Sequence, residues 1–154
     1  MPIAKKVNFV SEQDYLEGEL VTTFKNELID GHIYPMADES ARHNVLTGNF
    51  ATVLHMHLKS TSCQSYALRM KVKVGQNYFY PDVLVDCSDV DGYSTETPTL
   101  IIEVLSKSTR KLDETTKWLL YLQIPTLLEY ILVEQDCGLK SRGVVRVGSP
   151  CAIF

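Results

Sequence analysis

Two acidic residues within apolar segments are the side chains of this sequence best suited to chemistry. Asp82 lies in the segment YPDVLV and Glu103 lies in the segment LIIEVL. A charged acid in such surroundings is costly to bury unless a cation or a hydrogen-bond donor meets it. Two acids in the same setting favour a shared cation, although each could instead end its strand at the surface or pair with a nearby lysine.

Magnesium is the cation that Asp82 and Glu103 would suit best. Proteins commonly hold it with one or two carboxylates, and its other ligands are water and substrate phosphate oxygens. A metal bound there would lower the pKa of a water molecule and polarise a phosphate group. Chemistry of this kind requires no covalent nucleophile.

Length and composition are those of one domain, residues 1–154, with its own core, because 45% of the 154 residues are hydrophobic. The formal net charge is −4, so a nucleic-acid substrate would need a local basic patch or a metal. No apolar run reaches the length of a membrane span, and the start MPIAKKV lacks the apolar core of a signal peptide. We therefore expect no membrane association and a cytoplasmic location.

The four cysteines, Cys63, Cys87, Cys137 and Cys151, include no Cys-x-x-Cys pair. We expect reduced thiols rather than disulfides or structural zinc. Cys87 follows the Asp82 segment and has no basic neighbour in the sequence, so we expect a core thiol rather than a nucleophile.

The elements that must position the two acids alternate along the chain. We predict a short helix that begins at Ser11, a hairpin over 24–34 with an Asp-Gly turn, and a long helix from Ser40 to about residue 59. The later predicted elements are a second hairpin formed by strands 65–74 and 78–85, a loop over 86–98, a strand at 99–105, a helix that ends near 122, and a strand at 127–133 that is buried on both faces.

A strand, a helix and a strand between residues 99 and 133 imply a right-handed crossover and at least one parallel pair of strands. We therefore predict an α/β fold with a mixed sheet flanked by helices and preceded by a helix and a β-hairpin.

Several short motifs occur in a familiar order. They are ELIDG at 27–31, MA at 36–37, SARHN at 40–44, YPDV at 80–83, LIIEVLSKST at 100–109, Asp113, Lys117, Tyr121 and EY at 129–130. Together they resemble the Uma-type restriction endonuclease family of the PD-(D/E)XK nuclease superfamily, over about residues 12–136.

The resemblance implies a restriction-endonuclease-like fold and metal-dependent hydrolysis of DNA, with Mg²⁺ or Mn²⁺ as the cofactor. It aligns Asp82 and Glu103 at one metal site, where the backbone carbonyl of Val104 would complete the coordination as it commonly does in the superfamily. It also implies DNA as the partner.

The sequence departs from the superfamily at the lysine of the Glu-x-Lys pattern, because Leu105 stands in that position. Lys117 on the following helix is the candidate catalytic cation, one turn after Asp113, which would orient it. The alternative is a solvated pair of Lys117 with Asp113. Lys71 and Lys73 are further candidates, unless they are ordinary exposed strand lysines.

Other residues could support the site. Glu27 could supply a third carboxylate or contact the ligands, and His43 could shuttle a proton or contact phosphate. The alternatives are an edge-strand glutamate that faces water and a histidine on a helix surface, and for His43 we favour the latter. The basic cluster of Lys107, Arg110 and Lys111 could contact a DNA backbone, or could be a solvated turn.

Residues 137–154 depart from the family pattern, so we expect a truncated or altered C-terminal end there. A sheet edge left exposed by this change would favour a homodimer. A second hypothesis therefore stays open, that of a catalytically inactive nuclease-fold protein that acts as a DNA-binding or oligomerisation module.

Overall fold

The structure is a computed structural model, and it describes residues 8–67 and 69–135. The helices are α1 Glu12–Val21, α2 Ala41–Leu58 and α3 over residues 110–121. The strands are β1 Asn26–Ile29, β2 His32–Pro35, β3 Gln64–Ala67, β4 Lys71–Val74, β5 Asn77–Phe79, β6 Val83–Asp86, β7 Ser94–Thr95, β8 Pro98–Val104 and β9 Glu129–Val133.

These strands form two mixed sheets rather than the single sheet that we predicted. One has the order β2-β1-β5-β4-β7 and the other has the order β3-β6-β8-β9. Strands β8 and β9 are parallel and are joined through α3, as expected from the sequence. Each strand of the predicted second hairpin is divided between the sheets, into β3 and β4 and into β5 and β6.

The break between β5 and β6 has a local cause in Pro81 and a distant one in Glu27. Pro81 has no backbone N–H to give to a sheet, and the amide of Tyr80 donates to the Glu27 carboxylate at 3.0 Å instead of to a strand. The chain therefore leaves the first sheet just before Asp82 and enters the second sheet at Val83.

Side-chain caps and one turn fix the N-terminal elements. Ser11 and Ser40 each accept a hydrogen bond, at 3.1 Å, from the amide three residues later, so both predicted helix starts are confirmed. The predicted Asp-Gly turn has positive φ at both residues, 48° at Asp30 and 76° at Gly31. A Cβ atom at Gly31 would lie 2.1 Å from the ring of Phe9, so glycine is required there for space as well.

Aromatic side chains join α3 to the sheets in the core. The ring of Tyr121 makes edge contacts with Phe79 at 5.4 Å and with Tyr130 at 5.1 Å between centroids. These residues belong to a buried cluster that also includes Ile29, Val72, Val74, Leu84, Ile101, Ile124 and Leu127.

Helical spacing predicts that Leu112, Leu119 and Leu122 form the buried side of α3, and the structure differs from this prediction. Leu119 and Leu122 are exposed, whereas Asp113, Lys117 and Tyr121 are buried. Residues Asp113–Lys117 form a π-helical turn, which takes more residues than an α-helical turn and so shifts the buried face. Spacing of 3.6 residues therefore pointed to the wrong side of this helix.

Strand β9 was expected to be buried on both faces, but Tyr130 is its only buried residue. The strand lies at the edge of its sheet in the part of the chain that the structure describes, where one flank has no neighbouring strand. The atypical segment 137–154 and the sheet edge predicted there lie outside the described residues.

The prediction of reduced cysteines is wrong for Cys63 and Cys87, which form a disulfide. Strands β3 and β6 pair Gln64 with Asp86, so the next residues outward, the two cysteines, lie opposite each other. Cys87 is also exposed rather than in the core. Cys137 and Cys151 lie outside the described residues.

Within residues 8–67 and 69–135, none of the helices has both the length and the apolar character needed to span a membrane.

Candidate active site

The register of β6 and β8 brings the two candidate metal ligands together. Val83 pairs with Ile102, so one residue further along the antiparallel strands Asp82 stands opposite Glu103. Residues directly opposite each other project from the same face of a sheet. Asp82 is 6% exposed and Glu103 is 3% exposed, and both line a cavity of about 170 Å³.

Asp82 is held by two donors on one of its oxygens. Its Oδ2 accepts a hydrogen bond from the amide of Val104 at 2.7 Å, and Nε2 of His43 lies 3.1 Å from the same oxygen. These contacts fix the carboxylate between β8 and the first turn of α2.

His43 is buried, at 1% exposure, and so does not lie on the helix surface as we favoured from the sequence. Its Nε2 is also 3.7 Å from Glu39, four residues earlier. Burial tends to lower the pKa of His43, but the hydrogen bond to Asp82 and the charges of Asp82 and Glu39 outweigh burial and raise that pKa.

Lys117 reaches the cavity from the π-helical turn of α3, and its catalytic role stays a prediction. Its Nζ lies 3.2 Å from Oε1 of Glu103, 3.1 Å from Oε1 of Glu27 and 3.1 Å from Oδ1 of Asp113. The last contact is an ion pair without hydrogen-bond geometry, since Oδ1 of Asp113 accepts no hydrogen bond from the described residues. Burial opposes the charge of Lys117, but the carboxylates raise its pKa well above the usual value.

Carboxylates outnumber cationic side chains in this cavity. Burial raises the pKa of Glu103 well above its usual value; Lys117 counters this only in part, and the charges of Asp113, Asp82 and Glu27 add to it. Burial raises the pKa of Asp113 as well, against the effect of Lys117. The cavity therefore contains more acidic groups than its own lysine can pair, and burial makes their ionised forms costly.

The donor atoms fit a hard divalent cation. Protein contacts use Oδ2 of Asp82 and Oε1 of Glu103, and Tyr121 also donates to the latter at 3.3 Å. The other oxygen of each carboxylate accepts no hydrogen bond from residues 8–67 and 69–135. Across those same residues, no three side chains of His, Cys, Asp or Glu are grouped to hold a metal. Two carboxylates would suit Mg²⁺, which takes its other ligands from water and substrate.

Glu27 belongs to the cavity through two contacts. Besides Lys117, its Oε1 meets the amide of Tyr80. Lys73 does not lie there, because its Nζ pairs with Glu12 at 2.7 Å and lies 3.7 Å from Glu96. Lys71 does not line the cavity either.

Lys107 and Arg110 of the basic cluster border a second depression that adjoins the cavity at Glu39 and Ser108. Lys107 and Lys111 are exposed. Arg110 is engaged by Glu134, with one contact of 2.6 Å, and by Glu114 at 3.1 Å. Arg110 is therefore less available to DNA than the sequence suggested, and contacts of the two lysines with DNA stay a prediction.

Sequence reasoning missed Glu39 as a partner of His43 and did not give Tyr121 a contact in the site. Glu39 lies just before the N-cap Ser40 and four residues before His43, and this closeness in the sequence was the available signal. Tyr121 follows Lys117 by four residues, and its contact depends on the packing of α3.

The class of the fold follows from a structural comparison. A crystal structure described as "a putative nuclease belonging to DUF820" from Anabaena variabilis ATCC 29413 matches with a TM-score of 0.77, over 94% of this chain and 84% of that chain, at 16% identity. The chain therefore has an α/β nuclease fold, which confirms the predicted fold class.

The chain belongs to the Uma2 family, whose model carries the description "Putative restriction endonuclease" and matches residues 13–142. This confirms the resemblance found from the motifs. Two similar proteins come from Synechocystis sp. (strain ATCC 27184 / PCC 6803 / Kazusa). The uncharacterized protein sll1609 is 33% identical over 89% of this chain and 81% of its own length, and the uncharacterized protein slr1290 is 36% identical over 80% and 68%.

Proposed function

We propose that this protein is an endonuclease that hydrolyses DNA phosphodiester bonds and depends on Mg²⁺ or Mn²⁺. The observation that carries the proposal is the arrangement of Asp82, Glu103 and Lys117 in one cavity that contains more buried carboxylates than cations. Membership of the Uma2 family supports the nuclease assignment.

In this proposal Asp82 and Glu103 hold the cation, and the carbonyl of Val104 is a further ligand. The metal, when bound, supplies a water of lowered pKa and polarises the scissile phosphate. The Val104 amide and His43 position Asp82, because both bind its Oδ2. Their contacts would orient the other oxygen of Asp82 toward the cation.

Lys117 provides a permanent positive charge beside Glu103, since its pKa is raised by the carboxylates around it. A fixed cation at this point can stabilise the negative charge that develops on the phosphate in the transition state. Glu27 and Asp113 hold the ammonium in place through contacts of 3.1 Å each. Lys117 thus replaces the lysine that the superfamily pattern has at the position of the buried Leu105.

Cleavage of supercoiled plasmid DNA tests the proposal directly. The wild-type protein should nick the plasmid with Mg²⁺ or Mn²⁺ and not with EDTA, and Asp82→Ala and Glu103→Ala should each abolish nicking. Both variants should remain folded, because removal of one acid relieves repulsion among like charges. Asp89→Ala and Asp91→Ala, which change exposed acids outside the cavity, are matched controls and should nick normally.

Unchanged nicking by either cavity variant would overturn its role as a metal ligand. Absence of nicking by the wild type, across metals and DNA forms, would favour the catalytically inactive alternative. Gel-shift and gel-filtration measurements would then separate a DNA-binding module from an oligomerisation module.

A further inference from the structure

An open groove of about 790 Å³ lies beside the acidic cavity. Tyr80 lines both, two residues before Asp82. The backbone also connects them, because the amide of Met36, which lines the cavity, donates to the carbonyl of Lys25 in the groove at 3.0 Å. We name this feature the aromatic groove and define it by Phe24, Lys25, Arg69, Lys71, Tyr80 and Tyr93.

Two aromatic rings of the groove are open to solvent. Phe24 and Tyr93 are each 74% exposed. Exposed rings of this size contribute little to a core, whereas their faces can stack on the bases of an unpaired nucleic-acid strand.

The cations of the groove lie against the ring of Tyr80. Nζ of Lys71 is 5.4 Å from the centroid of that ring and 5.8 Å from the centroid of Tyr93, and Nζ of Lys25 is 5.3 Å from the Tyr80 centroid. Within the described residues, no carboxylate forms an ion pair with Lys71 or Arg69. Arg69 is exposed, whereas Lys71 is 8% exposed and its Nζ lies 3.5 Å from the Tyr80 hydroxyl. The positive charge of Arg69 is therefore directly available to a phosphate, and that of Lys71 lies at the wall of the groove.

The acids that border the groove are already engaged. Glu19 accepts a hydrogen bond from the hydroxyl of Tyr80 at 2.8 Å and another from Asn26 at 2.8 Å. Glu17 accepts a hydrogen bond from Gln13 at 3.0 Å. These contacts fix the positions of the two carboxylates at the border of the groove.

We propose that the aromatic groove binds an unpaired DNA strand next to the phosphodiester that is cut at Asp82 and Glu103. The inference rests on the proposed function and adds a substrate class to it, namely DNA with a single-stranded segment. Phe24 and Tyr93 stack on bases, while Lys71 and Arg69 contact phosphates. A fully paired duplex keeps its bases stacked inside and so cannot use the two rings.

The test measures binding apart from cleavage. A fluorescent oligothymidylate, a duplex with an overhang and a blunt duplex are titrated by anisotropy in EDTA with the Asp82→Ala protein, which cannot cut in this scheme. Adding Phe24→Ala and Tyr93→Ala together should weaken binding of the single strand and the overhang by at least about tenfold. Phe9→Ala and Lys59→Ala, which change an exposed ring and an exposed lysine outside the groove, should bind as before.

Charge is tested separately from stacking. Lys71→Gln should reduce the dependence of single-strand binding on salt by about 0.7 in the log–log slope, as expected for one lost phosphate contact. In the cleavage-competent protein, Phe24→Ala with Tyr93→Ala should raise KM for the overhang substrate and leave kcat unchanged.

Unaltered single-strand binding in the double variant would overturn the inference, and so would an equal loss on the blunt duplex. If the wild type binds single strands through these rings but cuts nothing, the proposed catalytic function fails and the groove assignment stands. If the wild type cuts and the ring variants bind and cut every substrate normally, the groove assignment alone fails.

Discussion

The acidic cavity and the aromatic groove meet at Tyr80, yet their lysines have different surroundings. In the cavity, Lys117 is buried among three carboxylates. In the groove, Lys71 lies against aromatic rings and has no carboxylate partner among the described residues.

The two kinds of surroundings suit two different functions, positioning of groups for a reaction and binding of a substrate. Buried ion pairs are expensive to form and fix geometry, which suits groups that must be positioned before a reaction. A cation on an aromatic surface keeps its attraction for a phosphate, which suits binding. The comparison predicts that changes in the cavity affect folding and catalysis, whereas changes in the groove affect affinity.

The largest expected effect is that of Lys117→Met. The substitution leaves Glu27, Glu103 and Asp113 buried without their cation, so the free energy of unfolding should fall by about 3–5 kcal/mol at neutral pH. Urea unfolding followed by circular dichroism measures this loss. Adding Glu103→Gln should restore part of the stability, because one buried charge is then removed.

Lys59→Met is the matched control, because it changes an exposed lysine at the end of α2. It should alter stability by less than about 0.5 kcal/mol. A loss below about 1 kcal/mol for Lys117→Met would contradict the difference drawn between the cavity and the groove.

Much of the cavity could be predicted because its signals are local or follow a motif. Asp82 and Glu103 stand out as acids in apolar segments, and Lys117 follows Asp113 by one helical turn. Lys117 is buried at the end of a π-helical turn, which the sequence did not reveal. The sequence therefore placed Lys117 near Glu103 but assigned the wrong residues to the buried face of the helix.

Features that depend on how distant strands meet were not predicted. The division of the chain at Tyr80 depends on a hydrogen bond to Glu27, 53 residues earlier. The disulfide of Cys63 and Cys87 depends on the register of β3 and β6. Neither relation produces a pattern in the neighbouring sequence, so composition and spacing favoured the wrong answer in both cases.

A smaller effect is expected from His43→Ala, which removes a group that positions Asp82 without touching the substrate in our scheme. Loss of such a supporting contact typically lowers metal affinity or activity by about 10- to 100-fold. The Mn²⁺ concentration that gives half-maximal plasmid nicking should rise, and His43→Gln should recover part of the loss because an amide can donate to Oδ2. Equal effects of both variants on thermal stability, with no change in the Mn²⁺ requirement, would indicate a purely structural role.

The smallest expected effect concerns the pH dependence of binding in the groove. Burial lowers the pKa of Lys71, so this side chain loses its charge at a lower pH than an exposed lysine, whose pKa is about 10.4. Lys25 shifts in the same direction, because burial and the charge of Arg69 lower its pKa. Burial raises the pKa of Tyr80, so its hydroxyl stays neutral as the lysines titrate.

Affinity for a single strand should therefore decrease by a few-fold between about pH 7.5 and about pH 10, because the cationic form that binds phosphate is lost as pH rises. Lys71→Arg should flatten this decrease, since arginine stays charged throughout the range. Anisotropy titrations in EDTA with the Asp82→Ala protein measure the effect without interference from cleavage. A decrease of the same size in Lys71→Arg would show that Lys71 does not contact the bound phosphates, and Lys25 would then carry the pH dependence of the groove.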